Sequence, residues 1–229
     1  MKDLETSVLR HNTSLARAAL TNVPDWARGR GLDTWPGPAG ARDCTRDRLR
    51  EWLEDPRPRG AVIYGPVGTG KTGLAAAVLR EWAGQGYGSR YWWNLATAPV
   101  VDESESEAPW PSPCWFEPWG LFLDKVYARR DRRESPQLWL DLLHERVSAL
   151  VIDDVTALWL PAHQAAFLAA LTWAEGRDYR RLVVTTNVDR ARWPDDFGAR
   201  AADRLGSDAF LGVELSGESL RPPGRAIRE

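Results

Sequence analysis

Eight consecutive residues, Gly65, Pro66, Val67, Gly68, Thr69, Gly70, Lys71 and Thr72, fit the G-x-x-x-x-G-K-[ST] spacing of a phosphate-binding loop. Glycines permit backbone angles that other residues avoid, so successive N–H groups can turn inward around a phosphate. A lysine at this place reaches the β- and γ-phosphates of a nucleotide, and the threonine hydroxyl is suited to Mg2+. The N-terminus of the helix that follows adds its positive end. Lys71 is therefore expected to act on the phosphates and Thr72 to hold the metal. Gly65 to Thr72, with Gly73 next in line, are expected to bind the nucleotide.

A phosphate loop alone fits kinases, GTPases and ATPases, and a second acidic element narrows the choice. "ALVIDDV" is an apolar run ending in Asp153 and Asp154. In a parallel sheet, side chains at the carboxyl ends of strands line the ligand crevice. Asp153 is expected to hold Mg2+, directly or through water, and Asp154 to orient and deprotonate the attacking water. Two acids at a strand end also serve as a helix cap or a surface turn.

A third apolar run, "RLVVTTNVDR", ends in a polar stretch with Asn187, whose amide can reach the γ-phosphate or the lytic water from the next strand. Asparagine is equally at home in a plain turn. In "FGARAADRLGSD", Arg200 and Arg204 fall one turn apart on one helix face. Such an arginine, presented to a neighbouring subunit's γ-phosphate, stabilises transition-state charge. The same pair also reads as a solvated face.

These residues need elements to carry them. The strand "AVIY" precedes the loop, and a helix from about Lys71 to Trp82 follows it. "CTRDRLREWLEDPRPRG" predicts a helix, with Thr45 as a possible N-cap and Pro56 and Pro58 as the stop. "SRYWWNLA", residues 89 to 96, predicts a second strand. Residues 97 to 118 are acidic, proline-rich and studded with tryptophan, and are expected to form an irregular insertion. Helices are expected at about 119 to 131, 136 to 147 and 161 to 175. Alternating helices and near-continuous apolar strands imply an α/β fold, a parallel sheet covered on both faces. Residues 1 to 57 are expected to form a helical lead-in and 58 to 229 the main domain.

Composition sets outer limits. The 229 residues carry a formal net charge of −2, which excludes a uniformly basic, nucleic-acid-gripping surface. Cys44 and Cys114 are the two cysteines, without metal-ligand spacing or a disulfide framework, so a reduced, cytoplasmic protein is expected. The start is too acidic for a signal peptide, and no run approaches the roughly 18 apolar residues of a membrane span. Lysine occurs only at positions 2, 71 and 125. Of the 13 tryptophans, Trp52, Trp82, Trp139 and Trp173 fall in helical patterns and are expected in the core. Trp110, Trp115 and Trp119 lie in or beside the insertion, where they either fold back to cap it or anchor a partner.

In order, the phosphate loop, the Asp-Asp strand, the "TTN" strand, the "R-x-x-x-R-L" helix and the terminal "GESLR" resemble the AAA+ ATPases of the DnaC-type helicase loaders. The IstB-type transposase helper ATPases are close relatives of these. The resemblance covers about residues 58 to 221. It implies a P-loop NTPase of the three-layer αβα AAA+ type with a small or absent C-terminal lid. It further implies ATP and Mg2+ as cofactors and a homo-oligomer, ring or spiral, with ATP at the subunit interfaces. By position, it implies Asn187 as sensor 1, Arg204 as the arginine finger with Arg200 beside it, and Arg221 as a sensor-2-like residue.

In that family the helical segment after the second strand helps to face single-stranded DNA. Here it contains "DKVYARRDRR", with Lys125, Arg129, Arg130, Arg132 and Arg133 around Tyr127. Charge plus an aromatic suits a single-strand groove, and the interspersed Asp124 and Asp131 suit a solvated helix end equally. The expected function is a DNA-replication ATPase that assembles on single-stranded DNA and loads a replicative helicase. The alternatives are a transposition helper that coats duplex DNA and recruits a transposase, and an ATP-gated adaptor with little turnover.

Overall fold

Parallel pairing brings the ends of five short strands to one edge of a sheet. In the computed structural model, which describes residues 22–38, 42–55, 59–84, 114–130, 149–176 and 180–220, these are β1 (Gly60–Tyr64), β2 (Cys114–Pro118), β3 (Ala149–Val155), β4 (Arg181–Thr186) and β5 (Phe210–Glu214). Their order is β2-β3-β4-β1-β5, and every neighbouring pair is parallel. The helices are α1 (Asp25–Arg28), α2 (Arg42–Glu54), α3 (Lys71–Gly84), α4 (Trp119–Arg130), α5 (Pro161–Glu175), α6 (Trp193–Phe197) and α7 (Ala199–Gly206). A short 3-10 turn, Arg190–Arg192, precedes α6.

Strand alternation sends successive side chains to opposite faces, and both faces are packed. Ala61, Ile63, Val151, Val183 and Val213 join α1, α2 and α3 in one core that includes Trp35, Trp52 and Trp82. Val62, Tyr64, Ile152, Leu182 and Val184 join α4 to α7 in the other, with Trp119, Phe167 and Trp173. Burial on both sides explains why β1 and the centre of β4, Leu182 to Val184, read as apolar runs and why both strands are buried at every position. The expected α/β fold, a parallel sheet between helical layers, is the one observed.

Two local expectations are corrected. Residues 114 to 118 are not the tail of an irregular insertion; they form β2 and pair residue by residue with β3, Cys114 opposite Ala149 and Pro118 opposite Asp153. Cys114 and Phe116 pack on the α3 face, while Glu117, on the other, is buried and takes bonds from Trp115 Nε1 at 2.6 Å and from Lys125 Nζ. Pro118 is tolerated because it closes the strand at the sheet edge. Thr45 is not an N-cap, since α2 begins at Arg42 and buries Thr45 with Leu49 and Trp52.

Trp119 belongs to the core and stacks on Phe122 at 5.3 Å, and Trp115 lies partly buried under Lys125. These two fold inward, as one of the two tryptophan readings holds. Burial pushes the Cys114 thiol up to about 12, which makes it inert as a thiolate. Neither cysteine is in a disulfide. The expected strand at 89 to 96, the helix at 136 to 147, the lead-in up to residue 21, Trp110 and Trp139 lie outside the described residues. No helix among the described residues is long and apolar enough to cross a membrane.

Candidate functional site

The glycine loop joins the buried end of β1 to the first turn of α3. Gly65, Gly68 and Gly70 all have positive φ, at 141°, 88° and 90°. The close approach is tightest at Gly65, where a Cβ would stand 2.1 Å from the Leu215 carbonyl oxygen, and at Gly68, where it would stand 2.0 Å from Ser219 Oγ. Any other residue there would be strained in its backbone and displace the chain after β5. That chain is tied on by bonds from Leu215 N–H to the Tyr64 carbonyl and from Leu220 N–H to the Gly68 carbonyl, both 2.8 Å. From the other side the buried Trp35 donates its Nε1 to the Gly70 carbonyl at 3.1 Å. Trp35 is a brace that the sequence reading did not single out, because nothing local ties it to a loop 35 positions later.

Within the loop, Lys71 is buried and its ammonium donates to the carbonyls of Gly65 at 2.8 Å and Pro66 at 2.6 Å. Thr69 Oγ1 donates to the Pro66 carbonyl at 3.0 Å. Pro66 and Val67 are exposed at the crest, and Gly73 is buried in the first turn of α3.

Asp153 comes to the loop from β3. Its carboxylate accepts from Thr72 Oγ1 at 3.1 Å and from Thr185 Oγ1 at 2.6 Å. Burial pushes the Asp153 carboxyl above its ordinary value. The bonds from Thr185 and Thr72 oppose this, the neighbouring Asp154 charge adds to it, and Lys71 opposes it. A desolvated carboxylate beside a hydroxyl, with an ammonium next to them, is a hard-oxygen donor set that fits Mg2+. Such a cation would also offset the burial of the Asp153 charge. Among the described residues there is no cluster of three or more His, Cys, Asp or Glu that could hold a metal, so the fit rests on this hydroxyl–carboxylate pair and on phosphate oxygens.

Asp154 stands at the open edge. Its φ of 60° lies in the left-handed region, its side chain is exposed, and its Oδ1 accepts from Asn187 Nδ2 at 2.8 Å. The fold therefore brings Lys71, Thr72, Asp153, Asp154 and Asn187 to one edge, from three different segments. The fold, a parallel five-stranded sheet between helical layers with the glycine loop after β1, is shared with solved structures of DNA-replication proteins.

Three solved structures carry that statement. The DnaC helicase loader superposes with a TM-score of 0.60 at 14% identity, covering 84% of this chain and 100% of its own. DnaI superposes at 0.55 and 17% identity, covering 85% and 95%. The replication initiator DnaA, bound to AMPPCP and single-stranded DNA, superposes at 0.58 and 16% identity. It covers 85% of this chain, which spans 52% of that protein's length. No protein-family model and no curated protein matches the chain.

Around this α/β core the two arginines differ. Arg204, on α7, is ion-paired with Glu175 at the end of α5. Arg200, one turn earlier, is exposed and lines a groove with Gln164 and Leu168 between α5 and α7. Arg221 lies outside the described residues. Of the basic run, Lys125 is bonded to Glu117 and lies 5.0 Å above the Trp115 ring, and Tyr127 packs on His163 at 5.7 Å. Both are tied into the fold. Arg132 and Arg133, and the side chains of Arg129 and Arg130, lie outside the described residues.

Proposed function

We propose that the chain binds ATP with Mg2+ on the phosphate loop and hydrolyses it as part of DNA replication, assembling on single-stranded DNA to load a helicase. The observation that carries the ATPase reading is the joined set Thr72, Asp153, Asp154 and Asn187 at the mouth of the glycine loop. A small-molecule kinase has no evident use for the second acid or for the amide aimed at it.

Each residue has a stated task. Lys71, with the backbone N–H groups of Gly65 and of Val67 to Thr72, binds and orients the phosphates, Pro66 shapes the loop without donating, and Gly73 and Arg221 complete the nucleotide site. Thr72 and Asp153 hold Mg2+, which supplies charge neutralisation on the β- and γ-oxygens. Asp154, exposed at the strand end, accepts the proton of the attacking water. Asn187, already bonded to Asp154, positions that carboxylate and senses the γ-phosphate. Arg204 serves the neighbouring subunit's nucleotide after releasing Glu175, and the exposed Arg200 lies beside it. The homo-oligomer is the assembly this requires.

Support for replication comes from two of the three neighbours. DnaC is a helicase loader, and DnaA was seen with a nucleotide analogue and single-stranded DNA. The reading is tested by ATP turnover of the purified protein alone, with single-stranded DNA and with duplex DNA. Stimulation by single strands is the expected result. Stimulation by duplex alone would favour the transposition helper, and absence of turnover in all three would leave the ATP-gated adaptor.

A further inference from the structure

The two acids of β3 face a single residue of β4. Ile152 pairs with Val184 and Val155 with Thr186, so Asp153 and Asp154 together stand opposite Thr185 alone. This is a β-bulge, one extra residue in one strand, a device that re-aims a side chain and leaves an amide without its ladder partner. The orphaned N–H belongs to Asp154, and it donates to Thr185 Oγ1 at 2.8 Å. The same hydroxyl donates its proton to Asp153 Oδ1 at 2.6 Å. Thr185 is 1% exposed, so no water substitutes for it in either bond.

We propose that Thr185 is a positioning residue for hydrolysis, whose one hydroxyl fixes the metal-facing carboxylate of Asp153 and the bulged backbone that aims Asp154. The proposal rests on the nucleotide–metal reading above and adds a residue to it. A hydroxyl is required because it must donate and accept at once. In an unbulged strand, Asp153 and Asp154 would alternate to opposite faces. With the bulge, Asp154 takes φ 60° and meets Asn187 at the open edge, while Asp153 stays turned to Thr72. Thr186 supplies an internal control. It is equally buried and clamps the other side of the bulge, donating to the Val155 carbonyl at 2.6 Å and accepting from Val188 N–H at 3.0 Å, but it bonds neither acid.

The test compares wild type, Thr185→Val, Thr185→Ser and Thr186→Val. Two readouts are used: Mn2+ bound in the presence of AMPPCP, titrated by electron paramagnetic resonance, and steady-state ATP turnover. Thr185→Val keeps the shape and loses both bonds, so Mn2+ affinity should fall about tenfold or more. Its kcat should fall about 10²-fold while KM for ATP changes less than about threefold. Thr185→Ser should restore both readouts, and Thr186→Val should leave Mn2+ affinity within about threefold of wild type. Wild-type Mn2+ affinity in Thr185→Val, or an equal loss in Thr186→Val, would overturn the proposal alone. Failure of the wild type to bind Mn2+ with the nucleotide would overturn the underlying reading and this proposal together.

Discussion

Asp154→Asn should hydrolyse ATP about 10²- to 10⁴-fold more slowly than wild type while binding the nucleotide nearly as well. The substitution removes charge and basicity and little else. Asparagine is among the few residues that tolerate the left-handed angles held at position 154, where φ is 60°. Its amide oxygen can still accept from Asn187 Nδ2, so the local geometry stays in place. The backbone N–H of residue 154 keeps its bond to Thr185. A loss confined to turnover would mark Asp154 as the group that takes the water's proton. Single-turnover rates measured alongside nucleotide affinity separate the two effects, and an Asp154→Asn protein with the wild-type rate would place the base elsewhere.

Arg204→Ala should reduce turnover by about 10³-fold or more, again with nucleotide binding nearly intact. In the single chain Arg204 pairs with Glu175, and both side chains are partly exposed. A pair of that kind contributes little to stability, so the variant should fold normally. The catalytic effect arises between subunits and has a distinctive check. Asp154→Asn keeps its arginine and loses its own hydrolysis, whereas Arg204→Ala keeps its acids and loses the arginine it lends. Mixing the two inactive proteins should restore part of the activity, because mixed interfaces join an intact site to an intact arginine. Mixtures that stay inactive, or an Arg204→Ala protein with normal turnover, would remove Arg204 from the role. Loss of turnover in Arg200→Ala instead would assign the role to the exposed arginine one turn earlier.

The parts legible in the sequence were those whose signals are contiguous. The glycine loop announces itself between a buried strand and a helix, and the positive φ of Gly65, Gly68 and Gly70 is the backbone freedom those glycines imply. "ALVIDDV" and the helix at 161 to 175 appear at the expected residues because apolar burial fixes them locally. β2 was illegible for the opposite reason. Its five residues end in a proline, and Glu117 is admitted to the interior only because Trp115 and Lys125 bond it there. The basic run misleads in the same way, since Lys125 looks solvated in sequence and is spent on Glu117 in the fold. Thr185 could not be distinguished from Thr186 by type or spacing. Only the register of β3 against β4 shows which of the two faces the acids.

The central claim is that the glycine loop with Lys71 binds the phosphates of ATP. Equilibrium binding of a fluorescent ATP analogue, in the presence of Mg2+, to wild type and to Lys71→Ala tests it most directly. Lys71 already bridges the loop carbonyls from a buried position, so its loss removes a charge-assisted phosphate contact without opening the core. Saturable binding to the wild type, weakened roughly 10- to 100-fold in Lys71→Ala, is the predicted result. Equal affinity in the two proteins, or no binding by the wild type, would contradict the account.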